Sequence, residues 1–438
     1  MKKRVCALLF VFCMFVGTAG CGKPQPEAPS GPQGHSDVPQ TENGDTGDGS
    51  IVSYDDEEME LLRNGVNTFA YNLYERLDGE ENVFFSPYSL CSALSLLNLG
   101  AGTETKEELD ILMGITDAAA WNNAMRAYLE TQWQDDTFVL TANSIWMREG
   151  KEWAEEIEAD FLNPAKDFYR SELYESDFAK DPKGALERIN KWASDNTEGM
   201  IPQVLNELPA DTAMILMNAV YFEGKWEAPF MEEDTYEQIF AGTAGEKEVE
   251  MMHQYNEYYA YVETDAIAGC GIKGIALPYE NSPLVMKIFI PDGRGDIVSL
   301  FDALSIEEKE ALLDSLDNAD REKITRLTIP KFTMEQEIKG LNALLQKMGM
   351  KTAFDMDNAD FDKIAEELYV SWVLHKAKIE VNEQGTKASA VTTIVTNDAC
   401  APMEEEPIVF EADRPFIYGI QDTRTGMILF MGRVNNLD

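Results

Sequence analysis

Glu383-Gln384-Gly385-Thr386-Lys387-Ala388-Ser389-Ala390-Val391-Thr392-Thr393-Ile394-Val395-Thr396 alternates with a period of two. Thr386, Ala388, Ala390 and Thr392 are all small, while Lys387, the only charge after Glu383, shares the opposite face with Ser389, Val391 and Thr393. In a strand such alternation lets one face pack tightly while the other meets solvent. No proline occurs from Glu383 to Ala401, so every residue there has a backbone donor for a sheet ladder. The β-branched run from Val391 to Thr396 favours strand, and Gly385 supplies a hinge. The pattern then breaks at Asn397-Asp398-Ala399-Cys400-Ala401-Pro402, ahead of Glu404, Glu405, Glu406 and Pro407. A strand of about 14 residues would extend about 45 Å. The segment is suited to be both an exposed loop and a central strand. Taken alone, it also fits an ordinary strand and loop of small residues.

The rest of the chain limits what such a segment could serve. Its 438 residues, 44% hydrophobic, suffice for one large domain or two ordinary ones with a real core. The formal charge of −43 speaks against nucleic acid and anionic membrane surfaces as partners. It suits a protein working outside the cell. Lys2, Lys3 and Arg4 precede an apolar run, Val5 to Val16, that is too short to span a bilayer. Thr18-Ala19-Gly20 before Cys21 resembles a bacterial lipoprotein signal, with Cys21 as the lipidated residue; an ordinary secretory signal cut nearby is the alternative. Residues 1–20 are therefore expected to be a signal peptide. Residues 21–54, acidic and rich in Pro and Gly, are expected to be a tether that cannot offset its ordering entropy. Residues 55–438 form the folded domain. With Cys6 and Cys13 in the signal, Cys91, Cys270 and Cys400 remain, and no disulfide framework is implied.

Met59, Leu62, Val66, Phe69, Leu73 and Leu77 recur at helical spacing up to Gly79. Ser86-Pro87 reads as a cap and first helical position, opening a helix through Leu99. Thr105 and Glu108 have capping-box spacing, with Gly114 closing that helix. Thr212 to Phe222 and Ile324 to Phe332 read as strands, the second followed by a helix carrying Leu341, Leu344, Leu345 and Met348. Lys376 to Val381 is strand-like, and two closing strands flank a turn at Asp422 to Gly426. Strands and helices mix without a βαβ rhythm, so the class is α+β.

Chemical motifs are scarce. Of three histidines, His35 falls in the tether, leaving His253 and His375. There is no HExxH, CxxC, Walker loop or GxSxG. Gly269, Gly271 and Gly274 spell GxGxxG, but Ile275-Ala276-Leu277-Pro278 then reads as a strand stopped by proline, not a helix. Asp355, Asp357, Asp360 and Asp362 lack the glycine an EF-hand loop needs and read as a solvated turn. No catalytic, cofactor or metal constellation is nominated.

Five ordered stretches carry a family resemblance. They are Asn82 to Ser89; Asn190-Lys191-Trp192 with Thr197 to Ile201; Asn218 to Trp226; Glu383 to Thr392; and Asp413 to Phe416 with Leu429 to Arg433. From about residue 58 to the end the chain resembles the serpins. That resemblance implies the serpin fold: mixed β-sheets, a helical N-terminal half and an exposed reactive-centre loop, here about 383–407. It also implies inhibition by suicide-substrate trapping. A protease attacks the loop, an acyl-enzyme forms, and the cleaved loop inserts as a sheet strand that carries the protease along. Ser86, Ser89, Asn218 and His375 match the family's shutter, Trp226 its breach, and Glu383, Gly385, Thr386, Ala388 and Ala390 its hinge. The same features fit His375 as a merely buried histidine and Trp226 as a core tryptophan.

The reactive bond is expected after Ala399, before Cys400, with Cys400 and Ala401 as rival positions. Small residues there suit elastase-like, subtilisin-like or papain-like proteases. Trypsin-like ones are disfavoured, because no Arg or Lys lies between Thr392 and Phe410. Arg126 is the only cation from Asp117 to Gln132, so no heparin dependence is expected. The expected protein is a monomer, lipid-anchored at the outer face of a bacterial membrane or else secreted. A non-inhibitory serpin acting as a surface binding or scaffold protein is the alternative.

Overall fold

The computed structural model describes residues 55–437 apart from 132, 135–136, 151, 265–270, 294 and 387–406. The described residues belong to the unit Val52–Asp438. Its helices are α1 Asp56–Tyr74, α2 Pro87–Gly100, α3 Thr103–Met113, α4 Ala118–Thr131, α5 Asn163–Tyr169, α6 Pro182–Asp195, α7 Ile297–Asp302, α8 Ile306–Ser315 and α9 Leu341–Lys347. The strands are β1 Val83–Phe85, β2 Trp133–Gln134, β3 Thr137–Arg148, β4 Glu172–Ser176, β5 Met214–Lys225, β6 Thr235–Gly242, β7 Gly245–Gln254, β8 Glu257–Glu263 and β9 Ile272–Pro278. They continue with β10 Leu284–Pro291, β11 Arg321–Pro330, β12 Phe332–Glu337, β13 Val370–Asn382, β14 Gly385–Thr386, β15 Ile408–Glu411, β16 Phe416–Asp422 and β17 Met427–Val434.

Two mixed sheets organise them. The larger runs β1-β17-β16-β10-β9-β8-β11-β7-β6, with β15 parallel to β11. The main sheet for function runs β12-β13-β14-β5-β3-β2, with β4 beside β3. Within it β13 pairs directly and in parallel with β5 over Val370–Lys378. The α+β class follows from this arrangement.

Local chemistry accounts for the helix ends. Ser86 caps α2, its Oγ accepting from the Ser89 N–H at 3.1 Å, with Pro87 in the first turn where no donor is needed. Gly114 ends α3 in the left-handed conformation, φ 70°. The Thr105–Glu108 capping box does not form: α3 starts three residues earlier, with Gly102 in the cap position and no side-chain cap. Tertiary partners have taken both groups, since Thr105 Oγ1 accepts from Asp360 N and Glu108 accepts from Lys351 N and Thr352 N. Between Ile324 and α9 the sequence reading expected one strand; there are two, β11 and β12, because the chain turns at Lys331 and crosses from one sheet to the other. Gly271 and Gly274 flank the start of β9, which ends at Pro278. Asp355 caps its own turn, and Asp360 accepts from Thr103 Oγ1.

Apolar side chains bury both faces of the main sheet. On one, Met214, Leu216, Val220 and Phe222 of β5 join the large core shared with α1, α2 and the second sheet. On the other, Ile215, Met217, Ala219, Leu374 and Trp146 meet Ala185, Ile189 and Ala193 of α6. A central strand covered on both sides reads as a nearly unbroken hydrophobic run, as β5 does. That makes its few polar residues conspicuous.

Candidate functional site

The main sheet forks. Below, β5 and β13 are joined edge to edge; above, they part around β14. The chain leaves β13 at Asn382, reverses over Glu383 and Gln384, and returns as β14 between the two strands. Thr386 pairs with Val381 on one side and Gly224 on the other; Gly385 pairs with Asn382 and Lys225. Glu383 to Thr386, expected as the start of an exposed loop, are instead paired or largely buried. The ladder donors and acceptors on the parted edges of β5 and β13 attract them.

Gly385 is required here. Its φ is +153°, and a Cβ at that position would lie 2.1 Å from Gly224 O and 2.7 Å from Lys225 Cα. The Thr386 hydroxyl sits fully buried, 2.9 Å from Tyr279 Oη. Trp226 stacks on Tyr279 at 4.8 Å, donates through Nε1 to Asn382 O at 3.0 Å, and donates its backbone N–H to Gln384 O. Trp226 therefore holds the hairpin from which β14 grows. Glu383 O accepts from Phe230 N, and the Glu383 carboxylate is 3.2 Å from Lys331 Nζ. Burial works to raise the affinity of that carboxyl for protons. Hydrogen bonds from the backbone and Lys331, with the Lys331 charge, outweigh it and hold the carboxyl below the usual glutamate range.

Where the fork closes, a row of polar side chains crosses three strands at one register: Asn143 of β3, Asn218 of β5 and His375 of β13. His375 Nε2 accepts from Ser86 N at 3.2 Å, so Nδ1 carries the proton and donates to Asn218 Oδ1 at 2.5 Å. Asn218 Nδ2 donates to Ser89 O, Ser89 Oγ and Asn143 Oδ1 at 3.0, 2.5 and 2.6 Å. Asn143 Nδ2 continues to Ser92 Oγ at 2.9 Å, and Ser86 Oγ donates to Leu429 O at 2.6 Å. One network ties α2 to both sheets across the line where β5 meets β13. Complete burial drives the His375 pKa down to about 3, so the imidazole is neutral.

Sequence reading thus named four residues that the fold brings together, Ser86, Ser89, Asn218 and His375, and missed Asn143 and Ser92. The missed signal was an asparagine in the middle of the apolar run of β3. Tyr279 and Lys331, which hold Thr386 and Glu383, come from distant elements and carried no local mark. The Asn190-Lys191-Trp192 and Thr197 to Ile201 stretches secure α6. Asn190 Oδ1 accepts from Val204 N and Leu205 N, and Thr197 Oγ1 accepts from Ile201 N. Cys21, Ala388, Ala390, Ala399, Cys400 and Ala401 lie outside the described residues.

The family profile described as Serpin (serine protease inhibitor) matches residues 64–437. A serpin-like protein of Thermococcus kodakarensis is 36% identical over 379 residues, covering 85% of this chain and 85% of that one. The crystal structure of a thermophilic serpin, Tengpin, in the native state superposes with a TM-score of 0.76 at 28% identity, covering 88% of this chain and 95% of that one. Human thyroxine-binding globulin complexed with thyroxine matches with a TM-score of 0.74 at 26% identity, over 86% of this chain and 99% of that one. The coverage spans both sheets, the fork and the polar row, and the chain belongs to the serpin family.

Proposed function

We propose that this protein inhibits serine proteases, and papain-like cysteine proteases, by offering residues 383–407 as a suicide substrate. The observation that carries the reading is β14: the chain entering that segment is already paired between β5 and β13. The registers can be continued. Each residue added to β14 steps back one along β5 and one along β13, so Ala388 would meet Phe222 and Ile379, and Ala390 would meet Val220 and Ala377. Thr392 would arrive between Asn218 and His375. Thr386 points inward at the top of this track, and by alternation the inward positions that follow are Ala388, Ala390 and Thr392. All are small and uncharged, as entry into a packed sheet demands. After cleavage the added ladder would stabilise the protein by on the order of 10 kcal/mol, at net values near 1 kcal/mol per hydrogen bond. Such a step can outrun hydrolysis of the acyl-enzyme only as a kinetic trap.

The roles follow. Glu383, Gly385, Thr386, Ala388 and Ala390 form the hinge; Trp226 holds its base; Ser86, Ser89, Asn218 and His375 resist opening until the strand arrives. The bond after Ala399 is the reactive one, with Cys400 and Ala401 as rivals, and its small residues select elastase-like, subtilisin-like or papain-like targets. The protein works as a monomer without heparin. Arg126, the one cation of α4, lies over the Phe168 ring. Residues 1–20 direct export, lipidated Cys21 anchors the chain, and 21–54 tether domain 55–438 outside the cell.

Incubation with pancreatic elastase, subtilisin and papain is expected to yield an SDS-resistant complex with at least one. Thr386→Arg should turn the inhibitor into a substrate, because a guanidinium would replace a hydroxyl in a fully buried site. If every protease only cuts the loop and no complex forms, the binding or scaffold reading takes its place.

A further inference from the structure

Among the described residues β14 ends at Thr386, which pairs with Gly224 of β5 and Val381 of β13. One step further along both ladders stand Glu223 and Glu380. They straddle the vertex of the fork, because direct pairing of the two strands stops just below them, at Tyr221 and Lys378. Their sequence neighbours Phe222, Ile379 and Val381 are buried in the large core, and a Cβ on Gly224 would run into Tyr279 and Phe222. Alternation therefore turns Glu223 and Glu380 to the opposite face, where both are half-buried. The Tyr221 hydroxyl, on that same face, donates to Glu223 Oε2 at 2.6 Å. Burial, that hydrogen bond and the charges of Glu223, Glu198 and Glu380 raise the Tyr221 pKa, so the phenol stays protonated with three carboxylates around it.

The charged groups nearby leave this notch acidic. Lys376 pairs with Glu335 at 2.7 Å, and Lys378 stands opposite the same Glu335 on the β12–β13 ladder. Lys225, two residues above Glu223, is the ladder partner of Gly385. The outer ladder neighbours are neutral, Phe138 beside Glu223 and Thr333 beside Glu380. Among the described residues no ion pair reaches Glu198, Glu223 or Glu380. Like charges facing each other across a gap between strands work against closing it. The residue that fills the gap when β14 lengthens by one is Lys387, the only charge between Glu383 and Asp398. Thr386 turns its hydroxyl to Tyr279 in the core, so residue 387 takes the face that Glu223 and Glu380 share. Ladder neighbours on one face have Cβ atoms about 5 Å apart, well within the reach of a lysine.

We propose that Lys387 is a positioning residue for strand insertion: seated between Glu223 and Glu380, it neutralises the notch at the vertex of the fork and locks the first residue that β14 gains. The inference rests on the inhibitory reading above. The test uses the full chain with pancreatic elastase, subtilisin and papain. Lys387→Glu would set three carboxylates in one row across the sheet. For the best-captured protease it should raise the number of inhibitors cut per inhibitor trapped about tenfold, which corresponds to about 1.4 kcal/mol. A second readout needs no trapped protease: the thermal midpoint after a single cut in the bait segment. Cut Lys387→Glu should melt roughly 2 °C below cut wild type in low salt, while the intact proteins coincide. In about 1 M salt, where the screening length falls to about 3 Å, both differences should shrink. Glu223→Gln with Glu380→Gln keeps the acceptor for Tyr221 and removes the charge of the notch. In that background Lys387→Glu should change neither readout. Equal cut midpoints for Lys387→Glu and wild type in low salt overturn the proposal, and so does a defect that persists undiminished in the double-glutamine background. If cutting raises the wild-type midpoint but no protease is trapped, the inhibitory reading fails alone and the midpoints still decide the role of Lys387. If cutting leaves the wild-type midpoint unmoved, no strand enters and both fall.

Discussion

Thr392→Val tests the register and the trap together. In the intact protein the His375 Nδ1–H donates to Asn218 Oδ1 in a site that is buried on every side. A strand entering between β5 and β13 must part these groups. The registers of β14 bring Thr392 to that point, where one hydroxyl can accept from His375 and donate to Asn218. Valine has the same shape and neither capacity. Two buried polar groups would then lack partners in the inserted form, at a cost of about 1–3 kcal/mol each. At roughly 2 cal/mol/K of unfolding entropy per residue, a domain of this size loses roughly 1 °C of midpoint per kcal/mol. The assay is differential scanning calorimetry before and after a single cut in the bait segment. Cleaved wild type should melt far above the intact protein. Cleaved Thr392→Val should melt about 2–7 °C below cleaved wild type, while the two intact proteins coincide. Thr393→Val, whose side chain would face Met217 under α6, should lose nothing. Equal cleaved midpoints for Thr392→Val and wild type would refute the register, and a midpoint unmoved by cleavage would refute insertion itself.

Gly385→Ala should expel β14, because its Cβ would overlap the Gly224 carbonyl; limited proteolysis should cut near Thr386 faster, and undiminished inhibition would contradict the close approach. Glu383 has a depressed folded pKa, so its contribution is complete above the unfolded value near 4.3 and is lost as pH falls through the lower folded one. Glu383→Gln should therefore abolish a hinge-loosening step in acid, read as protease sensitivity, that wild type shows below about pH 4.3. His375 is also depressed, to about 3, so the stability its neutral form supplies is full above about pH 6.5 and erodes on acidification toward 3. His375→Gln should show a flatter fall of thermal midpoint from pH 7 to 5, and an identical slope would mean that the ring does not govern the opening of the fork. Asn143→Ala, which removes one of the acceptors of Asn218 and the donor to Ser92 Oγ, should cost about 1–3 kcal/mol of intact-state stability, measured by thermal midpoint.

Periodicity and capping chemistry were legible without coordinates wherever the determining contacts are local. The 3.6-residue recurrence of α1, the Ser86-Pro87 start of α2, the left-handed Gly114 and the apolar run of β5 are set by neighbours a few residues away. The alternation after Gly385, and the small size of its inward face, were equally plain, because a strand's two faces are written in its own order. What failed was chemistry that a distant partner could claim. Glu108 resembled a helix cap until Lys351 and Thr352 took it, and β12 was hidden because only the turn at Lys331 divides it from β11.

The amino-acid order alone determined the α+β class, the family resemblance and a segment fit to become a strand, since these depend on composition, spacing and period. Only the tertiary structure decided that this segment has already begun to pair, that Tyr279 and Lys331 hold its first residues, and that Asn143, Asn218 and His375 align across three strands. Those facts depend on the pairing of strands far apart in the chain, where a shift of one residue would turn every side chain to the other face.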